Sequence, residues 1–103
     1  VKPSEQTAAV AYLYNKVVSN FPSNVWGYMR LGKLNFMIDD CSEAVKYYKK
    51  VTDLVSNYYG GWLKLAESSF ASGEKKFAID CVKRADKLNQ FDRRIRNLKK
   101  VIR

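Results

Sequence analysis

Residues 25–58 of the chain align without a gap on residues 59–92, and this self-match limits the folds open to it. At an offset of 34, Leu31 falls on Leu65, Gly32 on Ala66, Phe36 on Phe70, Ala44 on Ala78 and Leu54 on Leu88. Asp39 falls on Gly73, and the aromatic Tyr28 falls on Trp62. The same offset run backwards puts Val10, Tyr14 and Val17 on Ala44, Tyr48 and Val51. A repeat of this length marks an array of stacked helical units. The matching positions are large apolar or small residues, the two kinds that neighbour-on-neighbour stacking requires.

Local signals divide each unit into helices. Ser4 is a candidate N-cap with Glu5 behind it, and Val10, Leu13, Tyr14, Val17 and Val18 recur at helical spacing. This predicts a first helix over residues 4–20, stopped by the Pro22 loop. A second helix is predicted over residues 24–38, with Gly32 small enough to let a facing helix approach. Asp39 and Asp40 make the next turn, and Asp40 with Glu43 reads as a capping-box variant. A third helix follows to about residue 54 or 55, its inner stripe being Ala44, Val45, Tyr48, Val51 and Thr52. The fourth is expected over residues 58–72, with a first turn weakened by Gly60 and Gly61. Gly73 ends it in the left-handed conformation. The fifth spans residues 74–88, with Phe77, Ala78, Cys81, Val82 and Ala85 inward. Asp92 caps a sixth, in which Ile95 and Leu98 repeat Trp62 and Leu65 after a one-residue deletion.

These residues resemble the tetratricopeptide-repeat (TPR) family. Leu31-Gly32, Phe36, Ala44, Tyr48 and Val51 stand where its pattern has Leu-Gly, an aromatic, Ala, an aromatic and a small residue. Trp62, Leu65-Ala66, Gly73, Ala78 and Ala85 do the same one repeat later. Asn35 and Ser69 replace a preferred Tyr, and Ser56 and Gln90 replace the closing Pro, which Pro22 keeps. The resemblance implies an all-α solenoid of helix hairpins wound into a right-handed superhelix. Its parts are the second half of a repeat (residues 4–24), two full repeats (25–58 and 59–92) and a terminal or next-repeat helix (93–103). Because the first helix has the register of a second half-repeat, the chain is expected to be cut from a longer protein.

Composition narrows the function. With 103 residues, 47% of them hydrophobic, the chain can bury one modest core. No apolar run reaches the roughly 20 residues of a membrane helix, and no secretory signal opens the chain. It has no His, hence no Ser–His or Cys–His pair, no phosphate-cradling glycine loop and no metal-ligand spacing around Cys41 and Cys81. No enzyme activity, metal or cofactor is expected. The two cysteines are expected to be free thiols, which suits the cytoplasm or another reducing intracellular compartment.

The net charge of +9 is concentrated at one end: nine basic and two acidic residues lie between Lys83 and Arg103. Such asymmetry suits an acidic partner or a nucleic acid. In TPR proteins the first helix of each repeat lines a concave groove. Carried over by position, the groove residues are Trp26, Met29, Arg30, Lys33 and Phe36, then Gly60, Leu63, Lys64, Glu67 and Phe70. On the last helix they are Arg93, Arg96, Asn97, Lys100 and Arg103. Trp26 cannot share a helix face with the core aromatic Tyr28 two residues on. It either packs on the Pro22 loop or stands on the open side as a binding anchor. Some family members clamp a chaperone peptide's terminal carboxylate with Lys and Asn side chains. Here Met29, Lys33 and Lys64 occupy those positions, so that ligand is not implied. The expected function is a protein-interaction module that binds a peptide or partner subunit, acidic with apolar anchors. The alternative is nucleic-acid binding through the basic last helix.

Overall fold

The computed structural model describes residues 4–89 and 92–102. Among them are six helices: α1 (Glu5–Asn20), α2 (Val25–Met37), α3 (Cys41–Leu54), α4 (Tyr59–Ala71), α5 (Lys75–Leu88) and α6 (Arg93–Ile102). Each packs on the next in chain order, and α6 also touches α4. The result is an all-α solenoid.

Side chains at the helix starts account for several boundaries. Ser4 Oγ accepts from Thr7 N at 3.1 Å, and Asn24 Oδ1 accepts from Gly27 N at 2.9 Å. Asp40 Oδ1 accepts from Glu43 N at 3.3 Å, and Asp92 Oδ1 accepts from Arg94 N at 2.8 Å. Only half of the capping box forms. The Asp40 N–H donates to Asn35 O rather than to Glu43, whose carboxylate pairs with Lys46 at 3.3 Å.

The turns between paired helices share one geometry. Asp39 has φ +64° and Gly73 has φ +91°. Asp39 N donates to Phe36 O and Asp40 N to Asn35 O; one repeat later Gly73 N donates to Phe70 O and Glu74 N to Ser69 O. These bonds use carbonyls that the helix end would otherwise leave unpaired. Gly73 adopts the left-handed conformation without strain, whereas Asp39 bears a Cβ there.

Small residues set the spacing between helices. A methyl group at Gly32 would lie 2.6 Å from the Tyr48 ring, and Ala44, Ala66 and Ala78 are fully buried. The predicted stripe of α3 is buried in full, as is that of α5 apart from the half-buried Phe77. Two readings change. Gly60 and Gly61 lie inside α4, and Gly61 is buried where a Cβ would sit 3.0 Å from Val51 Cγ1, so it admits α3 as well as weakening the turn. The stripe of α1 is only partly covered: Val18 is buried, but Val10 is 38% and Leu13 60% exposed. Among the described residues only α2 flanks α1 closely, and one neighbour cannot cover a stripe that internal second helices bury against two.

Both cysteines are free, Cys41 half-buried and Cys81 buried. Burial, reinforced by the Asp80 charge, pushes the Cys81 thiol up to about 12. Nucleophilicity resides in the thiolate. Cys41 is therefore expected to react with a thiol reagent in the native protein and Cys81 only at the rate of unfolding. Comparing native and urea-denatured titrations checks this. Replacing Asp39 by Gly removes a Cβ from the left-handed region and a carboxylate from the C-terminus of α2. It should stabilise the fold by about 0.5–1 kcal/mol, read from the urea midpoint.

Candidate functional site

A groove runs between α2 and α4. One part of it is lined by Trp26, Met29, Arg30, Lys33, Tyr48 and Lys64. The adjoining part is lined by Lys33, Phe36, Met37, Tyr48, Lys64, Glu67 and Ser68. Lys33, Tyr48 and Lys64 belong to both parts, so the two form one surface.

The repeat builds this surface from the core outward. Gly32 has no side chain, so the Tyr48 ring slides beneath α2 and reaches the gap between α2 and α4. Tyr48 thus becomes the floor of the groove. Desolvation by burial, with the Glu67 charge nearby, pushes its hydroxyl up to about 12. It stays neutral and can donate a hydrogen bond at any physiological pH. One helical turn separates Trp26, Arg30 and Lys33 along α2, which aligns them on one edge. Trp26 is 70% exposed, which decides between its two readings: its indole stands in the open. Trp62 behaves differently. Its Nε1 donates to Ser56 O at 2.8 Å, and the Arg84 guanidinium covers its ring at 5.1 Å, so it is structural.

The rim is positive. Arg30, Lys33 and Lys64 face it, and Glu67, 3.9 Å from Lys64, is its one carboxylate. Other predicted groove residues lie elsewhere. Leu63 is a core residue, 1% exposed, in the cluster that includes Ile95 and Ile102, because α6 closes over α4 there. Phe70 is half-buried against the same cluster, and a Cβ on Gly60 would meet the Tyr58 ring. Arg93, Arg96, Asn97 and Lys100 are exposed on α6 and line neither part of the groove. Arg103 and Gln90 lie outside the described residues. Two other α6 cations are engaged: Arg94 with Asp92 at 3.0 Å and Lys99 with Asp86 at 3.0 Å. Sequence reasoning missed Tyr48, Met37 and Ser68 as lining residues. A signal was present for Tyr48, since a Tyr in place of Phe at a core position carries a hydroxyl that must reach a polar partner or water.

Comparison with solved structures agrees with the fold. The first TPR of Spaghetti (RPAP3), bound to the HSP90 peptide SRMEEVD, superposes with a TM-score of 0.88 at 15% identity, covering 94% of this chain and 77% of that one. This is the tetratricopeptide-repeat fold. A crystal structure of MamA matches the TPR array with a TM-score of 0.78 at 30% identity, over 82% of this chain. The chain spans 49% of that MamA. A second structure, MamA MSR-1 C2, gives a TM-score of 0.76 at 19% identity, covering 95% of this chain and 59% of that one. No family model matches the sequence, and no curated protein does. Among the described residues, no three His, Cys, Asp or Glu side chains gather to hold a metal, and no helix is long and apolar enough to cross a membrane.

Because Tyr48 both fills the Gly32 contact and floors the groove, Gly32→Ala should disturb both. The added methyl must push the ring aside, at a cost of about 1–3 kcal/mol typical of overpacking. Urea denaturation measures the cost, and tyrosine fluorescence or NMR of Tyr48 reports the displacement.

Proposed function

We propose that this TPR array is a protein-interaction module whose α2/α4 groove takes an acidic peptide segment carrying one or two large apolar anchors. The observation that carries the proposal is the juxtaposition of an exposed indole and Met29 with three cations over a tyrosine floor. An apolar anchor would pack on Trp26 and Met29 in the part of the groove next to Tyr48. Carboxylates flanking it would face Arg30, Lys33 and Lys64. Charge then speeds encounter and sets orientation, while the desolvated anchor slows release. The Spaghetti TPR, which shares the fold, is bound to a peptide with two glutamates and a terminal aspartate. Met29, Lys33 and Lys64 replace the Lys and Asn set of the carboxylate clamp, so recognition here rests on acidic side chains beside an apolar anchor.

The test is a set of acidic peptides with a single Phe, Leu or Trp anchor, measured by fluorescence anisotropy at two salt concentrations. Trp26→Ala should weaken binding by more than about 1 kcal/mol at either salt. Lys33→Glu combined with Lys64→Glu should weaken it most at low salt, since exposed charges are screened within about 8–10 Å near physiological ionic strength. Unchanged affinity in both variants would reject the groove as the site. Labelled random RNA and DNA serve as the competing ligand class, and tighter binding of these, abolished by Arg93→Glu with Arg96→Glu, would favour the basic helix instead.

A further inference from the structure

The side chain of Tyr48 carries a group that the fold does not use. The residue is 2% exposed, yet it lines both parts of the α2/α4 groove. Among the described residues its hydroxyl has no hydrogen-bond partner; burial and the nearby Glu67 charge are what act on it. Nor is the hydroxyl sealed in the core, since among the described residues Ser69 Oγ is the fully buried side-chain atom left without a partner. The neighbouring Tyr47 is different, its hydroxyl donating to Asn15 Oδ1 at 3.3 Å. The internal repeat shows that packing does not require the Tyr48 oxygen. At the offset of 34, Gly32 and Tyr48 become Ala66 and Val82, both buried. A position that packs without a hydroxyl in one repeat has a nearly buried, unpartnered one in the other, and such a group calls for a partner.

The surroundings define the chemistry of that partner. Lys33 and Lys64 line both parts of the groove together with Tyr48. Ser68 Oγ is already engaged with Lys64 O at 2.9 Å, and the one lining carboxylate, Glu67, stands 3.9 Å from Lys64. A neutral donor that shares its surface with two ammonium groups suits an anionic acceptor. Apolar side chains lie to either side along α2, Trp26 and Met29 in one part and Phe36 and Met37 in the other. The ten residues from Trp26 to Phe36 span about 15 Å of helix axis at a rise of about 1.5 Å each. An extended segment rises about 3.3 Å per residue, so four residues cover about 13 Å, and its alternate side chains point the same way. The two parts, about 160 and 150 Å³, hold single side chains rather than a helix roughly 10–12 Å across. We propose that Tyr48 sets the specificity of the groove: its hydroxyl donates to an Asp or Glu side-chain carboxylate seated beside Lys33 and Lys64, with an apolar side chain of the same extended segment on either side. The inference rests on the reading of this groove as a peptide site and narrows the ligand to apolar, acidic and apolar residues at alternate positions.

The experiment pairs Tyr48→Phe with two fluorescein-labelled, C-terminally amidated peptides, so that the only carboxylate tested is a side chain. One carries Phe, Glu and Leu at alternate positions; the other has Leu in place of the Glu. Tyr48→Phe keeps the ring against Gly32 and removes the oxygen alone. It should raise the dissociation constant of the Glu peptide about tenfold, as expected for a hydrogen bond to a charged group, and leave that of the Leu peptide unchanged. The urea midpoint should stay equal or rise, because the hydroxyl has no partner within the fold. An unchanged affinity for the Glu peptide, or an equal loss for both peptides, overturns the proposal. A lowered midpoint overturns it too, since the hydroxyl would then serve the fold. Should Tyr48→Phe have no effect while Trp26→Ala and the Lys33→Glu, Lys64→Glu pair still weaken binding, the role of Tyr48 fails and the groove remains the peptide site. If the wild type binds neither peptide, or none of these variants changes affinity, the groove is rejected together with the proposal.

Discussion

The contact between Gly32 and Tyr48 is the constraint on which the rest depends. A Cβ at position 32 would sit 2.6 Å from the ring, so the separation of α2 and α3 is set by the absence of one methyl group. Junctions between repeats obey the same rule at another place: Gly27 meets Val18, and Gly61 meets Val51 and Thr52. At these contacts a glycine of one helix therefore meets a larger side chain of the next. Close packing at this density leaves little freedom in how far successive hairpins can turn.

That spacing also produces the proposed binding surface. The Tyr48 ring is long enough to fill the Gly32 contact and still reach the far side of α2, where it floors the groove. The core and the lining of the groove thus share a residue. The residues that carry charge or an exposed indole are attached to helices whose own positions are fixed beneath them. A groove formed by packed helices in this way would lower the ordering cost of the binding proposed for it.

Among the described residues, the outer helices α1 and α6 differ from the inner ones for a simple reason of neighbours. Internal second helices are covered by first helices on both sides, whereas among the described residues α1 is covered by α2 alone and α6 by α5 and α4. Val10 and Leu13 of α1 and Val101 of α6 are exposed, apolar residues of the kind that the inner helices use for stacking. Charge divides them further, with α1 neutral and α6 strongly basic. Ion pairs at Asp92 and Asp86 engage part of the basic charge, leaving Arg93, Arg96 and Lys100 exposed.

The amino-acid sequence by itself determined the period, the six helices of the described residues, the caps at Ser4, Asp40 and Asp92, the turns at Asp39 and Gly73, and the inward stripes of α3 and α5. These depend on local propensity and on the helical recurrence of apolar residues, and both are written in consecutive positions. It also placed Trp26, Met29, Arg30, Lys33, Phe36, Lys64 and Glu67 on the faces that now line one groove. Tertiary structure alone decided that Leu63 is core, since its exposure depends on α6, some 30 residues away in the chain. It decided that Tyr48 serves the groove as well as the core, because that follows from the size of a residue on another helix. It decided that Val10 and Leu13 stay exposed, because a stripe of apolar residues records that a helix can be covered and only the packed neighbours settle whether it is.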